Sequence, residues 1–99
     1  MAKKEIQASH KLFEAVLNLK NLEDCKAFFE DLCTIRELQD LSQRYEVACM
    51  LWEGKNYQEV SRETGASTAT ICRVNRCLNY GSDGYRAVLE RENKSGDKE

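Results

Sequence analysis

Apolar residues recur along this chain at intervals of three and four, and no stretch alternates with the period of two that a half-buried strand would show. The pattern therefore predicts an all-α fold of about six helices. Leu12, Phe13, Val16 and Leu17 mark the face of a first helix. Asn21 can cap a second, which carries Leu22, Cys25, Phe28, Phe29 and Leu32. Thr34 and Glu37 have the spacing of a capping box, in which each side chain accepts a free N–H of the other's turn. That box opens a long helix with Ile35, Leu38, Leu41, Tyr45, Ala48, Leu51 and Trp52, and Gly54 ends it. Asn56 and Glu59 form a second box. After a further helix pair, Gly81 and the Ser82–Gly84 stretch mark a break, and Tyr85, Val88 and Leu89 give a last short helix.

The stretch from Tyr57 to Leu78, YQEVSRETGASTATICRVNRCL, departs from a plain helical run and predicts a helix-turn-helix. Val60 is a core position, and Ser61 is small where two helices must approach. Gly65 stands where the first helix stops and the chain must turn through positive φ, a region glycine enters without steric cost. Ser67 can cap the second helix. Ile71 and Val74 lie three apart and face back onto the first helix. Thr68, Ala69, Cys72, Arg73 and Arg76 then point away, and they are small or basic, as a surface entering a DNA groove should be.

Composition narrows the class. Ninety-nine residues make one domain, here 1–91, and the polar run from 92 to 99 has nothing to bury and reads as a flexible tail. No apolar run approaches the roughly 20 residues of a membrane helix, and the N-terminus lacks a secretory h-region, so a cytoplasmic protein is expected. The five cysteines, at 25, 33, 49, 72 and 77, include no CxxC pair, and His10 is the one histidine. They read as reduced, mostly buried small hydrophobes, with no metal site and no cofactor expected. No paired base and nucleophile and no phosphate loop is present, so an enzyme is not expected.

The net charge of −2 argues mildly against nucleic acid, but its distribution does not. From Gly54 to Asn79, Lys55, Arg62, Arg73 and Arg76 exceed Glu59 and Glu63 by two. From Lys20 to Glu46 the acidic residues are in excess by three. Such a chain would meet phosphates with one end. The broad apolar faces before Gly54 have little interior to fill in so short a chain, which points to a homodimer.

Two segments, ETGASTATICR (Glu63 to Arg73) and CTIRELQDLSQR (Cys33 to Arg44), resemble the Trp repressor superfamily, within a likeness running from about Phe28 to Leu89. The resemblance is to the Trp-repressor-related branch rather than to the tryptophan-sensing repressor. It implies about six helices per chain, an intertwined homodimer, and a helix-turn-helix projecting from each side of the core. By position it implies a ligand site at Thr34, Arg44, Thr70 and Arg73. Val74 and Cys77 stand where that repressor has a glycine and a serine against its ligand, so tryptophan is not expected to bind tightly. A small-molecule effector of another kind stays open.

The leading expectation is a sequence-specific DNA-binding transcriptional regulator, a repressor, with double-stranded DNA and a second copy of the chain as partners and no membrane. Ser67 opens the recognition helix, Thr68, Ala69 and Cys72 face base edges, and Arg73 and Arg76 reach guanine or phosphate. Lys55, Gln58 and Arg62 position the fold on the backbone. The alternatives are a protein-interaction module that kept the fold but lost DNA binding, and a repressor gated by a small-molecule corepressor.

Overall fold

The computed structural model describes residues 2–97, with side chains from 9 to 93. It contains helices α1 (Ala2–Leu17), α2 (Leu22–Leu32), α3 (Ile35–Trp52), α4 (Tyr57–Thr64), α5 (Thr68–Tyr80) and α6 (Gly84–Asp97), and no strand among the described residues. The chain forms two compact units, one ending at Leu38 and one beginning at Gln39, so α3 runs through the boundary.

Local chemistry sets the helix ends. Asn21 caps α2, its side chain accepting from the Asp24 N–H at 2.8 Å. Thr34 and Glu37 exchange both bonds of a capping box, at 3.0 and 2.8 Å, and start α3. Asn56 and Glu59 do the same for α4, at 2.9 and 3.2 Å. Gly54 and Gly65 follow the ends of α3 and α4 with φ of 92° and 76°. α6 continues to Asp97, beyond the short helix centred on Tyr85 and Leu89 that the apolar pattern marks. Glu, Arg and Lys are good helix formers without an apolar face. The expected loose tail begins within this helix, and the side chains of 94–99 lie outside the described residues.

In the unit from Gln39 onward, a core is built from Val47 and Ala48 of α3, Val60 of α4, Ala66 of the turn, Ile71, Val74 and Leu78 of α5, and Leu89 of α6. Tyr45, Met50, Trp52 and Tyr85 pack around it. On α3 the expected positions Tyr45, Ala48, Leu51 and Trp52 do meet the core, Val47 joins them fully buried, and Leu41 is exposed. In the unit ending at Leu38, α2 buries no residue at all. Leu17, Leu22 and Ile35 are 85%, 75% and 79% exposed. Phe28 and Phe29 meet edge to face, ring centres 5.6 Å apart.

The cysteines correct one expectation. All five are free, but none is buried: Cys25, Cys33 and Cys49 are half-buried, and Cys72 and Cys77 are exposed. The reason for the last two is helical register, since Ile71, Val74 and Leu78 take the inner face of α5. No group of three or more residues suited to holding a metal occurs among the described residues, and none of their helices is long and apolar enough to cross a membrane.

Candidate nucleic-acid interface

The helix-turn-helix is α4, the Gly65–Ser67 turn and α5. Its turn is held by its own side chains. The Thr64 hydroxyl donates to the Val60 carbonyl at 2.7 Å and accepts from the Ala66 N–H at 3.1 Å. The Ser61 hydroxyl donates to the Ala66 carbonyl at 2.9 Å, which explains the small residue one position after Val60. Ser67 then caps α5, accepting from the Thr70 N–H at 3.2 Å. Gly65 is left-handed but otherwise in open space, so backbone conformation and not crowding selects it.

Ile71, Val74 and Leu78 are buried, spaced three and four apart, so one side of α5 faces the core. Thr68, Ala69, Cys72, Arg73 and Arg76 are exposed. At 100° per residue, Ala69, Arg73 and Arg76 lie nearly opposite the core side, with Cys72 on their flank. Tyr80, 87% exposed, falls on the same line four residues beyond Arg76, although its sequence context at the helix end gave no sign of it.

Gln58 and Arg62 of α4 and Thr68 of α5 line an open cleft of about 340 Å³ together with Tyr57 and Ser61. One cation and several hydroxyl or amide groups around an open cleft at a helix start suit a phosphate. Lys55 is placed differently from Gln58 and Arg62. It is half-buried and ion-paired to Glu63 at 3.5 Å. Glu59 meanwhile serves the α4 cap. Both acids of the segment are thus occupied, and Arg62, Arg73 and Arg76 remain exposed as its positive charges.

The positions matched to a ligand site are divided. Thr34 lies in the unit ending at Leu38, whereas Arg44, Thr70 and Arg73 belong to the other. Both threonine hydroxyls serve helix starts: Thr34 accepts from the Glu37 N–H, and Thr70 Oγ1 accepts from Ser67 Oγ at 3.1 Å. Arg44 is half-buried and Arg73 exposed. Val74 is 1% exposed and belongs to the core. Cys77 instead lines an open, mostly apolar groove of about 580 Å³ with Tyr45, Gly81, Tyr85 and Val88. Burial, with Cys49 and Glu92 nearby, pushes the Tyr45 phenol up to about 12. Burial and the charges of Glu92, Glu53 and Glu46 push the Cys49 thiol up as well, although the neighbouring Tyr45 phenol works in the opposite direction. A thiol held protonated in this way is a poor nucleophile.

A capped, glycine-turned helix pair presenting a small and basic face defines an all-helical helix-turn-helix protein. The family model described as "Trp repressor protein" matches residues 7–93, and the chain belongs to the Trp repressor family. It is 60% identical over 80 residues to the uncharacterized protein YerC of Bacillus subtilis (strain 168), covering 81% of this chain and 77% of that one. The crystal structure of a TrpR-like protein from Eubacterium eligens is 55% identical with a TM-score of 0.87, covering 94% of this chain and 96% of that chain. A candidate Trp repressor from Staphylococcus aureus is 47% identical with a TM-score of 0.86, covering 94% and 95%. Family and fold together suggest a DNA-binding regulator rather than an enzyme.

Proposed function

We propose that this chain is a sequence-specific transcriptional repressor that acts on double-stranded DNA as a homodimer. The observation that carries this reading is the division of α5 into a buried side, Ile71, Val74 and Leu78, and an exposed side of Ala69, Cys72, Arg73 and Arg76. Thr68, Ala69 and Cys72 offer methyl, hydroxyl and thiol groups to base edges in the major groove, and Arg73 and Arg76 reach guanine or phosphate. Ser67 starts this helix, and Gln58 and Arg62 seat the unit on the backbone. Lys55 contributes from beside its ion pair with Glu63, which a phosphate must compete for. The exposed apolar residues of α1, α2 and the start of α3 supply the dimer contact. Two-fold symmetry then matches half-sites about one helical turn apart.

Tryptophan is not a tight corepressor in this reading, because Val74 fills core space and Thr34 and Thr70 are engaged in caps. Titration calorimetry with free tryptophan checks this, and micromolar affinity would contradict it. The DNA reading is tested by sequencing genomic fragments retained by the purified protein, followed by a salt series on the enriched duplex. Enrichment of a two-fold sequence whose affinity falls steeply with salt is expected. No enrichment above random fragments overturns the DNA reading and favours the protein-interaction module, which the net charge of −2 would suit.

A further inference from the structure

Both helices of the motif end in a carbonyl that has no partner within its own helix, and in both cases a side chain from a neighbouring helix supplies one. The Gln43 Nε2 of α3 donates to the Thr64 carbonyl at the end of α4, at 3.1 Å. The Arg86 Nε of α6 donates to the Leu78 carbonyl near the end of α5, at 2.7 Å. The nearest alternatives are already used: the Ser61 carbonyl accepts from Gly65 N–H, and the Cys77 carbonyl from Gly81 N–H. Neither Gln43 nor Arg86 lies on the outward side of α5 or lines the Gln58–Arg62 cleft.

From this arrangement we infer that Gln43 and Arg86 are positioning residues for DNA reading, one holding α4 to α3 and the other holding α5 to α6. The inference rests on the DNA-binding reading and adds which residues set the angle of the recognition helix. The turn fixes α4 and α5 relative to each other through Gly65, Ser61 and Thr64. It does not fix the pair relative to the helices that flank it. Apolar packing around Ile71 and Val74 holds the pair but is non-directional, whereas a hydrogen bond to a helix-end carbonyl fixes one direction. A bidentate base contact is sensitive to that direction, and a contact between an arginine and a phosphate is far less so. The two clamps therefore act on specificity and leave non-specific attraction alone.

The test compares affinity for the enriched duplex and for a random duplex, with the salt slope of each, in Gln43→Met, Arg86→Met and Arg86→Lys. Methionine keeps the apolar stem and removes the donor, and lysine keeps both charge and donor. Gln43→Met and Arg86→Met should each bind the enriched duplex about tenfold more weakly, the scale of one hydrogen bond lost from orientation. Random-duplex binding should stay within about twofold and the salt slope should not change, because no phosphate contact is lost. Arg86→Lys should recover most of the loss. A general loss of stability would not separate the two duplexes in this way. If a methionine variant is unfolded at the working temperature, amide exchange of α5 at lower temperature replaces the binding assay, and exchange as slow as the parent's overturns the inference. Parent-like binding of both duplexes by folded variants also overturns it. An equal loss on both duplexes with a shallower salt slope makes Arg86 a phosphate contact and overturns its clamp. A parent that prefers no duplex removes the DNA reading itself, a failure visible before any variant is made.

Discussion

α2 and α5 are of similar length, 11 and 13 residues, and both carry an apolar set at helical spacing. Their fates differ. α5 buries Ile71, Val74 and Leu78 and shows a small, basic side outward. α2 buries none of its residues, and Leu22 and Leu32 stand exposed. The apolar content of α5 meets enough partners within the chain, and that of α2 does not. An apolar face left open in one chain but encoded at regular spacing is a face built for another surface. Under the proposed function, the contrast gives two tasks to two regions: reading to the unit from Gln39 onward, assembly to the unit ending at Leu38.

The largest effect expected from breaking this contrast is at Ile71. The residue is fully buried and fills the space between α5 and its neighbours. Ile71→Ala should lower stability by roughly 2–5 kcal/mol, the range for truncating a buried aliphatic side chain. Thermal or denaturant unfolding checks it, and an unchanged midpoint would mean that α5 does not bury this face.

Next in size is the assembly surface. Replacing Leu22 and Ile35 together by lysine should shift sedimentation at micromolar concentration from a dimer toward the 11.4 kDa monomer, with helical content largely retained. Each of these side chains is more than two-thirds exposed in the single chain, and burying one in an interface contributes on the order of 1.5–3 kcal/mol. A parent protein that already sediments as a monomer while folded breaks the assignment of α2.

Smaller changes are expected on the outer side of α5. Arg73→Ala and Arg76→Ala should leave the unfolding midpoint nearly unchanged, since both side chains are exposed. Loss of a base contact should cost roughly 1–3 kcal/mol and relax sequence preference, and loss of a phosphate contact should weaken all duplexes alike and reduce the salt slope by about one. If both variants bind the enriched duplex like the parent, the reading face lies elsewhere on the molecule.

How far these regions were legible in sequence depends on the range of the forces involved. The caps at Asn21, Thr34, Asn56 and Ser67 and the left-handed Gly65 are decided by neighbours three or four positions away, so sequence displays them. The inner face of α5 follows from Ile71 and Val74 for the same reason. Val47 lies beside the stripe of Tyr45, Ala48, Leu51 and Trp52 on α3, and only packing widens that face to include it. The pair Lys55–Glu63 and the bonds from Gln43 to Thr64 and from Arg86 to Leu78 span 8, 21 and 8 positions. No periodicity marks contacts of that kind. Lys55 therefore read as a cation for the DNA backbone, and nothing in the pattern singled out Gln43 or Arg86.

The smallest effect separates packing from polarity at the edge of the core. The Tyr45 hydroxyl is buried and makes no hydrogen bond among the described residues, while its ring packs on the core and lines the groove with Cys77 and Tyr85. Tyr45→Phe removes only that oxygen, so at neutral pH stability should change by less than about 1 kcal/mol and should not fall as for a lost hydrogen bond. The pH dependence carries the sharper test. Burial raises the phenol from 10.0 to about 12 in the folded chain, so folding favours its protonated form. The resulting stabilisation is fully present below pH 10.0, falls as pH rises through the folded value of about 12, and is gone above it. Between those limits the parent should lose stability more steeply than Tyr45→Phe. The difference in tyrosinate absorbance between the two proteins should titrate near 12 while both are folded. Parallel alkaline unfolding curves would place the Tyr45 hydroxyl in water, and Tyr45 would then belong to the open groove and not to the edge of the core.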